Sequence, residues 1–262
     1  MKKLKNPKNI KMKFTLVFAL ILSIYAGVPG GYRLVWSDEF NGNSIDTGKW
    51  GFDIGGGGWG NNELQYYTNR WENAYVADGL LHIRARRESY GGRDYTSARM
   101  LTKGKFDFQY GYIEGRIRLP RGSGIWPAFW MLGSNIDSVG WPSCGEIDIL
   151  ETVNAENKVY STCHWSSNGG HAEYGRDSGY VDVTQFHTYA VYWDRDYIRS
   201  YIDGREYYAI YISNGTGNTW PLHNRAFIIL NVAVGGNWPG WNIDNNQFPT
   251  EMQVDYVRVY QP

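Results

Sequence analysis

The chain has 262 residues, a length that suits one large all-β domain or two smaller domains. Hydrophobic residues make up 42% and aromatic residues 16%, so wholesale disorder is excluded, and Trp and Tyr are too numerous to serve the core alone. The formal net charge is zero, but residues 27–262 carry 20 basic and 26 acidic side chains, which argues against nucleic acid as the main partner.

The first 26 residues have the pattern of a secretion signal. Six lysines lie within the first thirteen residues, and the apolar run FTLVFALILSIYA covers residues 14–26. That run is too short to span a bilayer comfortably and has the length of a signal-peptide core. We therefore expect a signal peptide over 1–26 and a single secreted β-sandwich domain over 27–262, extracellular or periplasmic and without a membrane attachment. An N-terminal anchor is the alternative.

Most of the chain after residue 26 has the alternation of β-strands. Polar and apolar side chains alternate in residues 81–87 (LHIRARR), 112–119 (YIEGRIRL) and 254–260 (VDYVRVY). Residues 187–210 read as successive hairpins, with turns near 194–196 and at Asp203-Gly204. Residues 227–234 (FIILNVAV) are apolar enough for a strand buried on both faces. Because no long helical period appears, the sequence predicts an all-β fold, a two-sheet sandwich of the jelly-roll type.

Two glycine-rich segments are predicted to be loops. Residues 55–62 (GGGGWGNN) and 235–240 (GGNWPG) are unsuited to a strand interior, because glycine has too much backbone freedom. Each segment holds one Trp. Such a Trp either pins its loop to the body of the protein or flanks a binding site, and the local sequence favours neither interpretation.

The stretch GEIDILE, residues 145–151, concentrates three carboxylates on one predicted strand. Strand side chains alternate between faces, so Glu146 and Asp148 share a face, whereas Glu151 would point the opposite way. A β-bulge at residues 149–150 would supply one extra residue and bring all three acids to one surface, and bulges are frequent beside active sites.

The simplest alternative is a solvent-facing strand with hydrated charges. The flanking sequence weakens it, since aromatic and imidazole side chains surround the stretch: Trp126, Trp130 and Trp141 upstream, His164 and Trp165 downstream. Neighbouring carboxylates repel one another, and apolar walls desolvate them, so both effects raise their pKa values. Perturbed acids cluster at functional sites. We therefore interpret GEIDILE as the centre of an active site.

Paired carboxylates among aromatic platforms are typical of glycoside hydrolysis. With a bulge, Glu146 and Glu151 are about four strand steps apart, or roughly 13 Å between Cα atoms. Two Glu side chains that lean together can reduce the carboxyl separation to about 5–6 Å, the range of retaining enzymes. We therefore expect double displacement rather than inversion.

The two cysteines, Cys144 and Cys163, are expected to be free thiols. Export would permit a disulfide. However, Cys144 shares the face of Glu146 by alternation, and Cys163 points away from it if His164 joins the acids. A pair arranged in this way meets disulfide geometry poorly.

At these residues the sequence resembles glycoside hydrolase family 16, and most closely its bacterial laminarinases, which are endo-β-1,3-glucanases. The resemblance runs from Trp36 to Tyr260 and rests on these segments, which occur in the order of the family: WSDEFNG, GWGNNELQYYT, SARMLTKGKFDFQYGYIEGRIRLP, IWPAFWMLG, GEIDILE, HW, ILNVAVGGNWPG and VDYVRVY. It implies a jelly-roll sandwich with a sugar cleft across a concave face.

The resemblance also implies roles for individual residues. Glu146 would be the nucleophile, Glu151 the general acid/base, and Asp148 the acid between them that tunes the nucleophile. His164 would hydrogen-bond Asp148 or the sugar. The implied substrate-binding residues are Asn61, Arg99, Trp126, Trp130, Trp141, His164 and Trp238.

No cofactor is expected for catalysis, but members of the family often carry a structural calcium ion. The matching positions are Glu39, the carbonyl of Gly79, and Asp255, whose oxygen donors suit calcium. Three unrelated surface groups are the alternative. The sequence offers no His/Cys cluster for zinc.

The spacing E-x-D-x-x-E favours the laminarinase-like branch over lichenase-like relatives, which typically show E-x-D-x-E. We therefore expect a secreted endo-β-1,3-glucanase, acting on laminarin-type or mixed β-1,3(4)-glucans, with a monomeric state. The alternatives are a relative acting on a galactan such as agar or carrageenan, a transglycosylase, and a non-catalytic β-glucan-binding protein. Retention of both Glu146 and Glu151 argues against the last.

Overall fold

The computed structural model describes residues 27–262, and strands dominate this part of the chain. The predicted signal peptide, residues 1–26, lies outside the described residues. In chain order the strands are β1 (Arg33–Asp38), β2 (Gly51–Asp53), β3 (Gln65–Tyr67), β4 (Ala74–Ala77), β5 (Leu80–Tyr90), β6 (Arg93–Ser97), β7 (Arg99–Leu101), β8 (Gly111–Arg118), β9 (Ile125–Gly133), β10 (Glu146–Glu151), β11 (Tyr160–Ser167), β12 (Gly170–Asp177), β13 (His187–Trp193), β14 (Tyr197–Ile202), β15 (Arg205–Tyr211), β16 (Ala226–Val234) and β17 (Thr250–Gln261).

Helical structure between residues 27 and 262 is confined to short pieces. One α-helical turn, α1, covers Ile136–Val139, and 3-10 segments cover Ser213–Asn218, Trp220–His223 and Asn245–Gln247. Among the described helices, none combines the length and apolar character needed to cross a membrane.

The strands form two sheets. The larger has ten strands, in the order β15-β14-β13-β8-β17-β5-β6-β3, with β1 also paired to β17 and β4 to β5. The smaller has seven strands, in the order β12-β11-β10-β9-β16-β7-β2. Every strand pair in the seven-stranded sheet is antiparallel. The predicted all-β, two-sheet sandwich is therefore confirmed.

The two sheets pack face to face around one main hydrophobic cluster. This cluster takes Phe129 and Ile147 from the seven-stranded sheet and Ile113 and Val257 from the ten-stranded sheet. The sheets approach closely at Gly115 on β8, where an added Cβ would lie 3.0 Å from Cε1 of Phe129. A bulkier residue at position 115 would therefore push the sheets apart.

The seven-stranded sheet buries one face in this core and presents the other to the functional cleft. On β9, Ile125, Phe129 and Met131 are fully buried, and the intervening Trp126 and Trp130 line the cleft. The period of two along the strand produces this division. All nine residues of β16 are buried, which confirms the strand predicted to be buried on both faces.

The predicted hairpins and cysteine state are confirmed as well. Residues 187–210 fold into β13, β14 and the start of β15, and the tight turn at Asp203-Gly204 has φ values of 48° and 76°. Cys144 and Cys163 are both buried and free. Cys144 packs in a small cluster with Leu132 and Phe227, whereas Cys163 lies in the main core.

The residues predicted as calcium ligands are occupied by other partners in this structure. Glu39 accepts hydrogen bonds from Nε and Nη2 of Arg258, at 3.0 and 2.7 Å. Asp255 is paired with Nη1 of Arg116 at 2.5 Å. Gly79 lies in the turn between β4 and β5 with a φ of 73°. A guanidinium neutralises each carboxylate in this arrangement, so a calcium ion would have to displace both arginines.

Candidate active site

A β-bulge on β10 brings the three acids of GEIDILE to one face. Against β9, the register advances by two residues from Asp148 to Leu150 while β9 advances by one, from Trp130 to Phe129. Ile149 and Leu150 are both buried, and the pairing resumes with Glu151 opposite Ala128. The bulge predicted at residues 149–150 is therefore confirmed, and both of its residues are buried.

The acids line a cleft of about 740 Å³ over the seven-stranded sheet. Every residue predicted for catalysis or sugar binding contributes to its wall: Glu146, Asp148, Glu151, Asn61, Arg99, Trp126, Trp130, Trp141, His164 and Trp238. The strands supply the floor, whereas Asn61, Trp141 and Trp238 come from loops. A mostly apolar concave site with a few convergent polar groups is the usual form of a ligand pocket.

Each of the two outer acids accepts a hydrogen bond from a tryptophan indole. Nε1 of Trp141 donates to Oε2 of Glu146 at 2.8 Å, and Nε1 of Trp126 donates to Oε1 of Glu151 at 2.9 Å. These bonds fix the carboxyl groups in the cleft and stabilise their charged forms. Trp141 is half exposed, so its ring also offers an open face to a sugar.

His164 connects the acids to the neighbouring strand. Its Cα partner on β10 is Glu146, so the imidazole lies across the rung from the outer acid, as predicted. Its Nε2 is 3.2 Å from Oδ2 of Asp148 and 3.9 Å from Oε1 of Glu146. Asp148 is 2% exposed, and among the described residues no hydrogen bond to its Oδ2 is present.

Burial raises the pKa of Glu146, Asp148 and Glu151, because the cleft wall disfavours the charged forms. At Glu151, burial and repulsion from Asp148 and Glu146 raise the pKa well above its usual range, and the Trp126 bond and the His164 charge oppose this rise. At Glu146, the charges of His164 and Arg99 and the Trp141 bond favour the anion. The two outer acids therefore have different environments, with more groups that favour the anion at Glu146 than at Glu151.

Arg99 is held between two aromatic rings on the cleft floor. Its guanidinium carbon lies 4.7 Å from the ring centre of Trp130 and 5.2 Å from that of Trp59. Its Nε is 2.9 Å from Oδ2 of Asp53, on the paired strand β2. This cation–π sandwich fixes the guanidinium in the cleft, where its remaining N–H groups can reach hydroxyl groups.

The two glycine-rich loops meet and form one rim of the cleft. The amide of Asn237 donates to the carbonyl of Asn61 at 2.8 Å, and Nδ2 of Asn62 donates to Oδ1 of Asn237 at 2.9 Å. Each loop Trp both anchors its loop and borders the cleft. Nε1 of Trp59 donates a hydrogen bond to the carbonyl of Gly55 in its own loop. Trp238 packs edge-on against Trp126.

A buried polar network beneath the floor was not anticipated from the sequence. Nε1 of Trp130 donates to Oδ1 of Asn231 at 2.7 Å, and Nδ2 of Asn231 donates to the hydroxyl of Tyr67 at 3.1 Å. That hydroxyl and Nε2 of Gln65 both donate to Oε2 of Glu63. Burial raises the pKa of Glu63. The only sequence signal is that Glu63, Gln65 and Tyr67 alternate within the quoted stretch GWGNNELQYYT.

The β12 strand adds two further cleft residues that the sequence reasoning missed, His171 and Glu173. Nδ1 of His164 is 2.9 Å from Nε2 of His171 and 3.3 Å from Oε2 of Glu173. The pattern H-x-E on an alternating strand was the available signal, because it places both side chains on one face.

The sandwich and its row of acids between tryptophans define a carbohydrate-active β-sandwich of the jelly-roll type. Residues 61–258 match Glycosyl hydrolases family 16, so the chain belongs to this family and is a glycoside hydrolase.

Relatives of known identity cover most of the chain. It is 46% identical over 235 residues to the clotting factor G alpha subunit of Tachypleus tridentatus, matching 88% of this chain but 34% of that protein. It is 44% identical over 245 residues to a beta-glucanase of Rhodothermus marinus, covering 88% of this chain and 85% of that one. The chain thus spans about a third of the first relative and most of the second.

Solved structures show the same fold. The laminarinase catalytic domain of Thermotoga maritima superposes with a TM-score of 0.79 at 45% sequence identity. The match covers 88% of this chain and 98% of that domain.

Proposed function

We propose that the chain is a retaining endo-β-1,3-glucanase that hydrolyses laminarin-type or mixed β-1,3(4)-glucans. The observation that carries this proposal is the β10 bulge, which places two outer carboxylates in one aromatic cleft with different environments. The laminarinase and beta-glucanase names of similar proteins support the choice of β-1,3-glucan as substrate.

In the first step Glu146 attacks the anomeric carbon while Glu151 gives its proton to the departing glycosidic oxygen. The environments match these roles. Glu146 has its anion stabilised by the Trp141 bond and by the charges of His164 and Arg99. Glu151 keeps its proton because burial and the charges of the neighbouring acids raise its pKa well above the usual range.

In the second step Glu151 acts as the base. The ester formed at Glu146 carries no charge, so its repulsion of Glu151 ends and the pKa of Glu151 falls. Glu151 then removes a proton from the attacking water, and the sugar leaves with its original anomeric configuration. Asp148 lies between the two outer acids, with its Oδ2 3.2 Å from Nε2 of His164. The charge of Asp148 raises the pKa of both Glu146 and Glu151.

The aromatic walls are proposed to bind the glucan chain. Trp126, Trp130 and Trp141 offer flat apolar faces to the C–H faces of glucose rings. Arg99 and Asn61 would read hydroxyl groups beside them, and Trp238 would border the chain from the loop rim. His164 supports Asp148 and the sugar.

The test is product analysis on a panel of polysaccharides. The purified protein is incubated with laminarin, barley mixed-linkage glucan, agarose and carrageenan, with Glu146→Ser as the blank. Oligosaccharides from laminarin, with the β-anomer seen first by NMR, would support the proposal. Release from a galactan alone would keep the carboxylate roles and overturn the substrate. Laminarin binding without turnover would make the chain a glucan-binding protein.

Secretion is proposed on the basis of the lysine-rich, apolar sequence of residues 1–26. Export of the full chain with cleavage near Ala26, read by N-terminal sequencing of the medium, would support it. A single-chain mass in light scattering would support the expected monomer.

A structural calcium ion, implied by the family resemblance, is a separate proposal. Glu39 and Asp255 would have to exchange their arginine partners for the ion. A Tm in CaCl2 that exceeds the Tm in EDTA would support the ion, whereas equal values would assign stability to the two ion pairs instead.

A further inference from the structure

Three side chains that could bind a metal converge on the edge of the cleft, beside the acids. His171 and Glu173 are two residues apart on β12, so they share a face of the sheet. The Cα partner of Glu173 on β11 is His164, so the imidazole of His164 lies across the same rung. Antiparallel pairing of β11 and β12 therefore brings two imidazoles and one carboxylate together from a single hairpin.

The donor atoms form a triangle whose sides lie within about 0.4 Å of the separations that a tetrahedral metal ion requires. Nδ1 of His164 is 2.9 Å from Nε2 of His171 and 3.3 Å from Oε2 of Glu173, and the remaining side is 3.8 Å. Zinc binds His nitrogen and carboxylate oxygen at about 2.0–2.2 Å, which places tetrahedral donors about 3.3–3.5 Å apart. The fourth position would open toward the cleft.

A second observation comes from the other nitrogen of His164. Its Nε2 is 3.2 Å from Oδ2 of Asp148, a buried oxygen that has no hydrogen bond among the described residues. An imidazole that binds a metal through Nδ1 keeps its proton on Nε2 and can donate it to that carboxylate. Carboxylate–histidine–metal chains of this kind fix the ring and its tautomer in metal sites.

We propose that His164, His171 and Glu173 bind one divalent transition-metal ion of the Zn²⁺ class, and that the bound ion inhibits glucan hydrolysis. Two imidazoles and one carboxylate select zinc-type ions over calcium or magnesium, which prefer oxygen donors alone.

Inhibition follows from the position of the site. The ring of Trp141 lies 4.7 Å from that of His171 and 6.2 Å from that of His164, so a bound ion and its water occupy cleft space beside a sugar platform. The ion would also bind Nδ1 of His164, whose Nε2 faces the carboxyl groups of both Glu146 and Asp148. Glucan and metal would therefore compete for the same part of the cleft.

Binding is measured by calorimetric titration of the tag-free protein with ZnCl2, with CaCl2 as the ion control. We expect one Zn²⁺ per chain, with an affinity that prior saturation with CaCl2 does not change. His171→Ala and Glu173→Gln each remove or weaken one of three donors, so each should lower zinc affinity by about tenfold or more. The matched control is His187→Ala, which removes an imidazole paired with Asp203 on the ten-stranded sheet and should leave the affinity unchanged.

Circular dichroism of each variant establishes that it is folded. The visible spectrum of the Co²⁺-loaded protein reports the coordination, with strong tetrahedral bands expected in wild type and lost in His171→Ala. No zinc uptake by wild type, or equal affinity in wild type and both β12 variants, would overturn the site. These measurements use no substrate, so they stand apart from the proposed hydrolase activity.

The inhibitory part is tested with laminarin at increasing ZnCl2 concentrations. Wild type should lose activity over the concentration range of zinc binding, with an increase in KM. His171→Ala should require at least about tenfold more zinc for the same fractional loss. Zinc that binds at this site without changing hydrolysis, or equal inhibition of both proteins, would overturn the inhibition.

Discussion

Trp141 donates its indole N–H to Oε2 of Glu146 at 2.8 Å, and this bond favours the charged form of the carboxylate. The bond from Trp126 to Glu151 is its counterpart at the other end of the acid row. The two tryptophans therefore serve both as apolar platforms and as donors that set the pKa values of the two outer acids.

Replacing either donor by Phe should move one limb of the pH–activity profile. Trp141→Phe removes a bond that lowers the pKa of Glu146, so that pKa rises and the acidic limb of kcat/KM moves to higher pH. A hydrogen bond to a charged group contributes about 1.5–3 kcal/mol, so the limb should move by about one to two pH units. The measurement is kcat/KM for laminarin between pH 3 and 10.

Trp126→Phe is the matched variant, because it removes the bond that lowers the pKa of Glu151. The pKa of the general acid then rises, so the basic limb should move to higher pH while the acidic limb stays in place. Movement of the same limb in both variants would contradict the assignment of nucleophile and acid.

Glu146→Ser should abolish turnover and preserve glucan binding. Without the carboxylate no glycosyl-enzyme can form, and loss of a nucleophile lowers kcat by about four orders of magnitude or more. The cleft walls of Trp126, Trp130 and Arg99 are unchanged, so the Kd for laminarin oligosaccharides should stay close to that of wild type. The measurements are product release and calorimetric binding of a laminarin oligosaccharide.

The control for that variant is Glu206→Ser, which removes a carboxylate paired with Arg199 on the ten-stranded sheet. It should retain wild-type turnover. Activity of Glu146→Ser near the wild-type level would remove Glu146 from the nucleophile position.

Deleting Leu150 should remove the bulge and leave Glu151 in the cleft. With one residue fewer the acids have the spacing E-x-D-x-E, so strict alternation alone places Glu146, Asp148 and Glu151 on one face. The deletion also removes a fully buried side chain, so we expect a loss of stability with activity retained below the Tm. Activity and Tm are measured on the same preparation.

Leu150→Ala separates the two effects. It keeps the bulge and leaves a cavity, so it should unfold with a free energy lower by about 2–5 kcal/mol while Glu151 stays in the cleft. We expect this variant to remain active at temperatures below its Tm. A folded but inactive deletion protein, beside an active Leu150→Ala, would show that Glu151 needs the bulge itself and not only its place on the cleft face.

The acid row could be predicted from the sequence because it depends on local periodicity. Glu146, Asp148 and Glu151 lie within six residues, and only a one-residue bulge reconciles their spacing with a common face. The buried strand β16 and the hairpins of residues 187–210 were likewise local patterns. Alternation along a strand determines which side chains share a face, and this information was sufficient to predict these elements.

The remaining site residues depend on which strands become neighbours, and alternation does not specify this. Asn231 reaches Trp130 only because β16 pairs with β9, although 101 residues separate them in the chain. His171 joins His164 through the register of the β11–β12 hairpin. The arginine partners of Glu39 and Asp255 also follow from strand pairing, because Arg258 lies on β17 beside β1 and Arg116 lies on β8 beside β17.

A carboxylate distant from the cleft should make stability depend on pH. Glu251 accepts bonds from Nδ1 of His82 and Nε of Arg84, each at 2.9 Å, and these partners lower its pKa to about 2. A lowered carboxylate pKa stabilises the fold above the unfolded-state value, near 4.3, and this stabilisation is lost as the pH falls toward the folded-state value.

Glu251→Gln should therefore lower the free energy of unfolding at pH 7 by about 1–2 kcal/mol, a value reduced from the full shift because Glu251 is partly exposed. The difference from wild type should shrink below about pH 4.5 and vanish near pH 2. Urea unfolding at pH 7, 5, 4 and 3 measures it. Glu206→Gln, in an exposed pair with Arg199, should change stability by less than about 0.5 kcal/mol at every pH. A pH-independent deficit in Glu251→Gln would assign the effect to lost packing, because a contribution from the charge of Glu251 must change with pH in this range whereas a packing contribution does not.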